Sequence, residues 1–389
     1  MLRQTTASDD APPSTGTPAS ITPLQRLERI LSEAIRAGAS DIHFEPMAQR
    51  FRVRLRVDGR LQDHGDVPLT ARDMLVSRLK VLANLDIAQK RLPQDGRMVW
   101  REAGEPVECR VSALPTLHGE KLVVRLLDGA KVPLSLEGLG YSPKQYLALT
   151  QAIARPHGLI LLTGPTGSGK TVSLYSCLRR LNDASRNIVT IEDPVEIRLA
   201  GITQVNLNER AGLDFATALR AFLRQDPDVL VVGEIRDAQT AEIAIQAAQT
   251  GHLVFATVHA NDAPSTLARL FDLGVAPFNL SSTLLLVSAQ RLLRRRCPAG
   301  CEPLSMTTAT DLADTCMRCH GTGFAGRIGA FQVMPISATQ AINIAQARSP
   351  HELAAQARSE GVMTLREAGL WHVDAGAVAQ EDVDATLPA

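Results

Sequence analysis

The stretch LILLTGPTGSGKT, residues 159–171, constrains the fold more than any other part of this chain. A short apolar run ends at Gly164. Gly164-Pro165-Thr166-Gly167-Ser168-Gly169-Lys170-Thr171 then fits the pattern G-x-x-x-x-G-K-T, and the helical segment VSLYSCLRRL follows. In that context the glycines let backbone N–H groups curl around a β-phosphate and the helix N-terminus adds positive potential. Lys170 reaches the β and γ oxygens, and Thr171 can ligate Mg²⁺. The runs NIVTI (187–191), DVLVV (228–232) and HLVFATV (252–258) are separated by longer, mostly helical stretches. Such alternation predicts an α/β fold around a mostly parallel sheet buried on both faces.

Hydrolysis of a nucleotide needs a carboxylate to orient or deprotonate water. Glu192 and Asp193 follow one apolar run, and Glu234 follows another. Ligand-contacting residues of an open parallel sheet gather at the carboxyl ends of its strands, so these acids are expected near the phosphate loop. Glu234, just past a strand, suits Mg²⁺ through water, which leaves Glu192 for the attacking water. His252 and His259 flank the last run; taken alone, they are read first as packing or hydrogen-bonding residues, since their seven-residue separation is not a helical metal spacing, with a site role as the alternative.

The chain before this region has a different period. Thr22-Pro23-Leu24-Gln25 makes an N-cap, a first-turn proline and a glutamine three residues after the cap, opening a helix that runs to Gly38. In FRVRLRVDGR, Phe51, Val53, Leu55 and Val57 alternate with Arg52, Arg54 and Arg56, as in a half-buried strand with a hairpin turn at Asp58-Gly59. A meander is expected over 97–127, and the arginine stripe is expected to be a solvated face. These features predict a disordered tail over residues 1–20, a small α+β domain over 21–130, a linker over 131–140 and a second domain over 141–389 that ends in a helical tail from 336. With 41 basic and 41 acidic residues among 389, no global field favours nucleic acid. The N-terminus lacks an apolar signal region and no stretch approaches the roughly 18 apolar residues of a membrane span, so a cytoplasmic protein is expected.

In the reducing cytosol, paired cysteines point to metal. Cys297, Cys301, Cys316 and Cys319 have three, fourteen and two residues between them, within the range of a tetrahedral Cys₄ zinc site. Four thiolates leave Zn²⁺ no open position, so the expected role is structural, with His320 as a possible substitute ligand. Cys109 and Cys177 fall in apolar patterns and are expected in the core. Arg291, Arg294, Arg295 and Arg296, just before the first cysteine, are expected at a solvated helix end.

The motifs GPTGSGKT, TIEDPVE, LRQDPDVLVVGEIRD and TGHLVFATVHAND, in this order, resemble the secretion ATPases that power type II secretion and type IV pilus assembly. SDIHFEP (40–46), RVDGR (56–60), LPQDGR (92–97) and the segment 115–127 resemble that family's second N-terminal domain. GITQVNLN, AFLRQDPDV, AAQTGHL and GVAPFN lean toward the pilus assembly branch. The resemblance covers residues 22 to 375. It implies a PAS-like N-terminal domain and a RecA-like ATPase domain with an inserted zinc module. It further implies a homohexamer, peripheral at the inner membrane and bound to a platform protein of a pilus or secretion machine. The phosphate loop of one subunit would be closed by Arg97 and Arg110, with Arg125 as a third. Glu192 would be the general base, Glu234 the Mg²⁺ residue, and His252 and His259 sensors of nucleotide state. Two departures stand out: only the expected tail precedes Thr22, where the family has a further N-terminal domain, and the first cysteine pair is C-x₃-C where the family has C-x₂-C. A pilus retraction motor of the same family and a nucleic-acid translocase on the same core are the alternatives. The tetracysteine module speaks against the first and the balanced charge against the second.

Overall fold

The structure, a computed structural model, describes residues 21–127, 134–301, 316, 318, 319 and 321–387. The tail expected over 1–20, His320 and part of the expected linker lie outside the described residues. The chain forms two compact units that divide between Leu127 and Asp128.

The first unit contains α1 (Pro23–Arg36), β1 (Asp41–Pro46), β2 (Phe51–Val57), β3 (Arg60–Val67), α2 (Leu69–Leu82), β4 (Gln94–Glu102), β5 (Glu105–Thr116) and β6 (Gly119–Leu127). Thr22 and Gln25 cap α1 reciprocally, as their spacing predicts. The strands make one antiparallel sheet in the order β3-β2-β1-β6-β5-β4. Leu27, Leu31, Leu75 and Leu79 of the helices pack with Ile42, Phe44, Phe51, Val53, Val124 and the buried Cys109.

The sheet's other face is charged, and it is less solvated than its alternation suggests. Glu45, 5% exposed, accepts hydrogen bonds from Arg52, Arg54 and Lys121 at 2.8–3.1 Å. Asp41 holds Arg125 at 2.9 Å. The arginine stripe is thus fixed against buried carboxylates that come from a neighbouring strand, which the local period cannot reveal.

The second unit runs through α3 (Pro143–Ile153), β7 (Gly158–Thr163), α4 (Lys170–Leu181), β8 (Ile188–Glu192), β9 (Thr203–Asn206), α5 (Phe215–Phe222), β10 (Val229–Val232), α6 (Ala238–Gln249), β11 (Leu253–Val258), α7 (Ala263–Asp272) and α8 (Pro277–Thr283). It ends with β12 (Leu284–Arg296), β13 (Phe324–Pro335), α9 (Ala338–Ala345), α10 (Pro350–Ser359), α11 (Leu365–Asp374) and α12 (Gln380–Thr386). The sheet order is β13-β12-β7-β11-β10-β8-β9, parallel except for β13 at one edge. Every residue of β7, β10 and β11 is buried. Alternate residues serve two cores: Leu159, Leu161, Val254 and Ala256 on one face, Ile160, Leu162, Leu253 and Phe255 on the other. Cys177 is buried in the latter core, and so are Leu134 and Leu136 from the segment expected as linker.

The segment of Arg291–Arg296 is not a helix end. It lies in β12, which pairs with β7 on one side and β13 on the other. Burial of Leu286, Val287 and Ala289 between two partner strands, and of Leu293 beside β13, overrides the helix-like local composition. Among the described residues no helix is long and apolar enough to cross a membrane.

Candidate active site and tetracysteine centre

The phosphate loop bridges β7 and α4. Gly164, Gly167 and Gly169 have φ of 148°, 78° and 89°, values that favour glycine. No side chain caps α4, whose N-cap is Gly169, so its first N–H groups remain available to an anion. Lys170 Nζ donates to the carbonyls of Gly164 and Pro165 at 2.7 and 3.2 Å. Burial pushes its ammonium down to about 8; Glu234 opposes that shift and the nearby Arg291 adds to it.

Thr163 at the end of β7 fastens the neighbouring loop. Its hydroxyl donates to the Val258 carbonyl at 3.0 Å and accepts from the Ala260 N–H at 3.1 Å. This carries His259 to the loop: its Nδ1 lies 3.1 Å from the Gly164 carbonyl and 3.4 Å from Lys170 Nζ, while its Nε2 lies 3.2 Å from Glu234 Oε1. Arg236 then binds Glu234 at 2.7 Å and Asp193 at 3.3 Å. Lys170, His259 and Glu234 therefore form one group at the carboxyl ends of the parallel strands.

Glu192 ends β8 beside this group, but its carboxylate faces inward. It is 5% exposed and accepts from the Tyr175 hydroxyl, from Thr190 Oγ1 at 2.7 Å and from Gln204 Nε2 at 3.3 Å. Burial raises its pKa, outweighing those hydrogen bonds. His252 is not brought to the group. It precedes β11, at the opposite end of the strand and roughly 20 Å away at the usual rise per residue, where Nδ1 lies 3.0 Å from the Ala247 carbonyl. Arg97 and Arg110 belong to the first unit, directly opposite each other on β4 and β5, with Arg125 opposite Arg110 on β6. Such a row of like charges is unfavourable by itself.

Two residues near the loop have no site role expected from the sequence. Arg291 of β12 is partly buried and donates to the carbonyls of Gln290 and Asn261 at 3.1 and 3.0 Å; burial lowers its pKa. Glu196, the last residue of TIEDPVE, lies close enough for its charge to act on Lys170. Only the fold could reveal Arg291, because β12 reaches the loop from far along the chain.

The cysteine ligand atoms of Cys297, Cys301, Cys316 and Cys319 all lie within 4.8 Å of one another, and Cys297 Sγ is 3.8 Å from Cys316 Sγ. A tetrahedral ion with bonds of about 2.3 Å needs sulfur separations of about 3.8 Å, so the four thiols suit a metal, including Cys301 from the lengthened pair. The backbone N–H groups of Cys319 and Arg318 hold the Cys316 thiol below its usual range, while hydrogen bonding with Cys316 pushes Cys301 up.

Residues 18–385 match the profile of the family described as Type II/IV secretion system protein. The chain is 46% identical over 376 residues to the type IV pilus assembly ATPase PilB of Acinetobacter baylyi, covering 92% of this chain and 65% of that protein. Against the type II secretion system protein HxcR of Pseudomonas aeruginosa it is 46% identical over 360 residues, covering 92% of this chain and 76% of the relative. Among solved structures, the Legionella pneumophila ATPase DotB superposes with a TM-score of 0.71 at 21% identity, over 95% of this chain and 97% of that one. The pilus retraction motor PilT with bound ADP gives 0.63 at 27% identity, over 93% and 97%. A phosphate loop on a parallel sheet, a family profile spanning both units and relatives matched across nearly the whole chain agree: the chain belongs to the Type II/IV secretion system protein family.

Proposed function

We propose that this chain is the ATP-hydrolysing motor of a type IV pilus assembly or type II secretion machine. The observation that carries the reading is the group of Lys170, His259 and Glu234 at an uncapped helix N-terminus, in a chain so similar to proteins named for both machines. Gly164 to Thr171 hold the triphosphate of ATP, with Lys170 on its terminal oxygens. Thr171, directly, and Glu234, through water, would hold Mg²⁺, which when bound would neutralise charge on the phosphates. His259, in reach of both Glu234 and the loop carbonyl, registers whether the γ-phosphate is present; His252 keeps its sensor role only toward another copy of the chain. Glu192 is the general base, supported by its buried position and raised pKa. A second reading gives the water to Glu196, favoured by its field on Lys170.

The remaining parts of the proposal rest on the family. The motor works as a homohexamer in the cytoplasm, peripheral at the inner membrane and docked on a platform protein, without nucleic acid. Arg97 and Arg110 bring positive charge to a γ-phosphate held by another subunit, which fits their placement opposite each other on adjacent strands. Unit one is PAS-like, supported by its single antiparallel sheet with helices in its core. Zn²⁺ on the four cysteines is structural, supported by the sulfur spacing. The retraction motor PilT is the alternative within the fold, and the tetracysteine centre argues for assembly.

Glu192→Gln is expected to bind ATP as the wild type does and to lose about 100-fold or more in kcat, whereas Lys170→Ala loses binding itself. Undiminished kcat in Glu192→Gln with loss in Glu196→Gln would transfer the base to Glu196.

A further inference from the structure

Gln290 lies outside every phosphate-binding motif, far along the chain from residues 164–171, yet β12 carries it directly beneath the loop. It is 1% exposed, and its side-chain Nε2 donates to the Ser168 carbonyl at 2.8 Å. Both ends of the loop rest on it. A Cβ on Gly164 would stand 2.6 Å from the Gln290 carbonyl oxygen, and one on Gly169 would stand 3.1 Å from Gln290 Nε2. Among the described residues, the Gln290 Oε1 and Ser168 Oγ atoms are buried without a hydrogen-bond partner. A buried glutamine that leaves its oxygen unsatisfied while its nitrogen is engaged has its orientation set by that one contact.

We infer that Gln290 is a positioning residue for the phosphate loop, locking the orientation of the Ser168–Gly169 peptide. A trans peptide sends its C=O and N–H in opposite directions. Drawing the Ser168 carbonyl down onto Gln290 turns the Gly169 N–H away from β12, to the side on which an anion at the start of α4 is received. Gly169, at φ 89°, tolerates rotation of that peptide more readily than another residue would. Without the amide of Gln290 the plane is free to flip and present a carbonyl to the phosphates. This rests on the reading of residues 164–171 as a phosphate cradle.

The test is equilibrium binding of ADP to the full chain, with melting temperature as the check on folding. Gln290→Met, similar in shape but without the donor, is expected to bind ADP about tenfold more weakly, the worth of one hydrogen bond. Gln290→Glu gives a diagnostic pH profile. At pH 8 its carboxylate repels the Ser168 carbonyl and binding falls further. As the pH is lowered toward 6 the carboxyl gains a proton that it can donate, so the deficit relative to wild type shrinks. A role in packing alone would lower the melting temperature with no such recovery. Wild-type affinity in either folded variant at pH 8, or a Gln290→Glu deficit that does not change with pH, overturns the inference; the glutamate series decides the matter if Gln290→Met does not fold. Lys170→Ala separates the two levels: if it too binds ADP normally, the phosphate-cradle reading itself has failed.

Discussion

A Cβ on Gly233 would stand 3.0 Å from the Ile191 carbonyl and 3.1 Å from the Glu192 Cα, tight contacts with backbone, so glycine eases the close approach of the ends of β8 and β10. That approach puts Glu192 and Glu234 at neighbouring strand ends in different surroundings. Glu234 meets His259 and Arg236, while Glu192 meets buried hydroxyls and an amide. A base at Glu192 must be ionised, and burial raises its pKa above the ordinary 4.5. The expected kcat profile therefore falls on acidification with a midpoint above 4.5, and Tyr175→Phe moves the midpoint further up by removing a hydrogen bond that favours the ionised form. An acid limb that Tyr175→Phe leaves in place counts against the assignment. Glu45 behaves oppositely: burial alone would raise its pKa, but hydrogen bonds from Arg54, Lys121 and Arg52 hold it at about 2. Its contribution to the stability of the first unit is complete above pH 4.5 and is lost as the pH falls toward 2. In Glu45→Gln the unit should be about 2 kcal/mol less stable at pH 7 by urea denaturation, with the difference from wild type closing over that window.

At the scale of elements, β12 joins the two centres. Gln290 and Arg291 lie beside the phosphate loop, and past Arg296 the chain enters the cysteine centre at Cys297. Between them Arg294 is fastened to α12: its guanidinium and backbone N–H donate to Asp382, 3% exposed, at 2.6 and 2.7 Å, and its guanidinium lies 3.7 Å from the Phe324 ring centroid. Asp382→Ala leaves that arginine without its carboxylate, and the full chain is expected to unfold with about 3 kcal/mol less free energy. If the four cysteines hold zinc as proposed, it should persist in this variant, because no ligand has changed. Cys301→Ser should instead lose more than half of its zinc in elemental analysis; full retention would mean that three cysteines suffice. The capping boxes of α1 and α10, the DG hairpin and the runs of β7, β8, β10 and β11 were legible in the sequence, because each is decided by neighbours in the chain. β12 was not, since a run with arginines at one end becomes a strand only through its partners.

For the whole molecule, the phosphate loop with Lys170, Glu234 and His259 resides in one compact unit and the arginine row in the other. If the arginines serve another subunit, Arg97→Ala should retain ATP binding and lose about 100-fold or more in turnover. Co-expressed with Lys170→Ala chains, it should regain part of that activity, since an intact loop can then meet an intact arginine. Mixed assemblies that stay inactive would rule out service between subunits. The sequence by itself determined the phosphate loop, the parallel sheet, the tetracysteine set and the family, because these depend on residue type at fixed local spacing. Tertiary structure alone decided that Glu192 faces inward onto Tyr175, that His259 reaches the loop while His252 lies at the far end of the strand, and that Gln290 lies beneath Ser168. Each of these depends on which distant strand ends a parallel sheet brings together, and that is set by packing across the whole core.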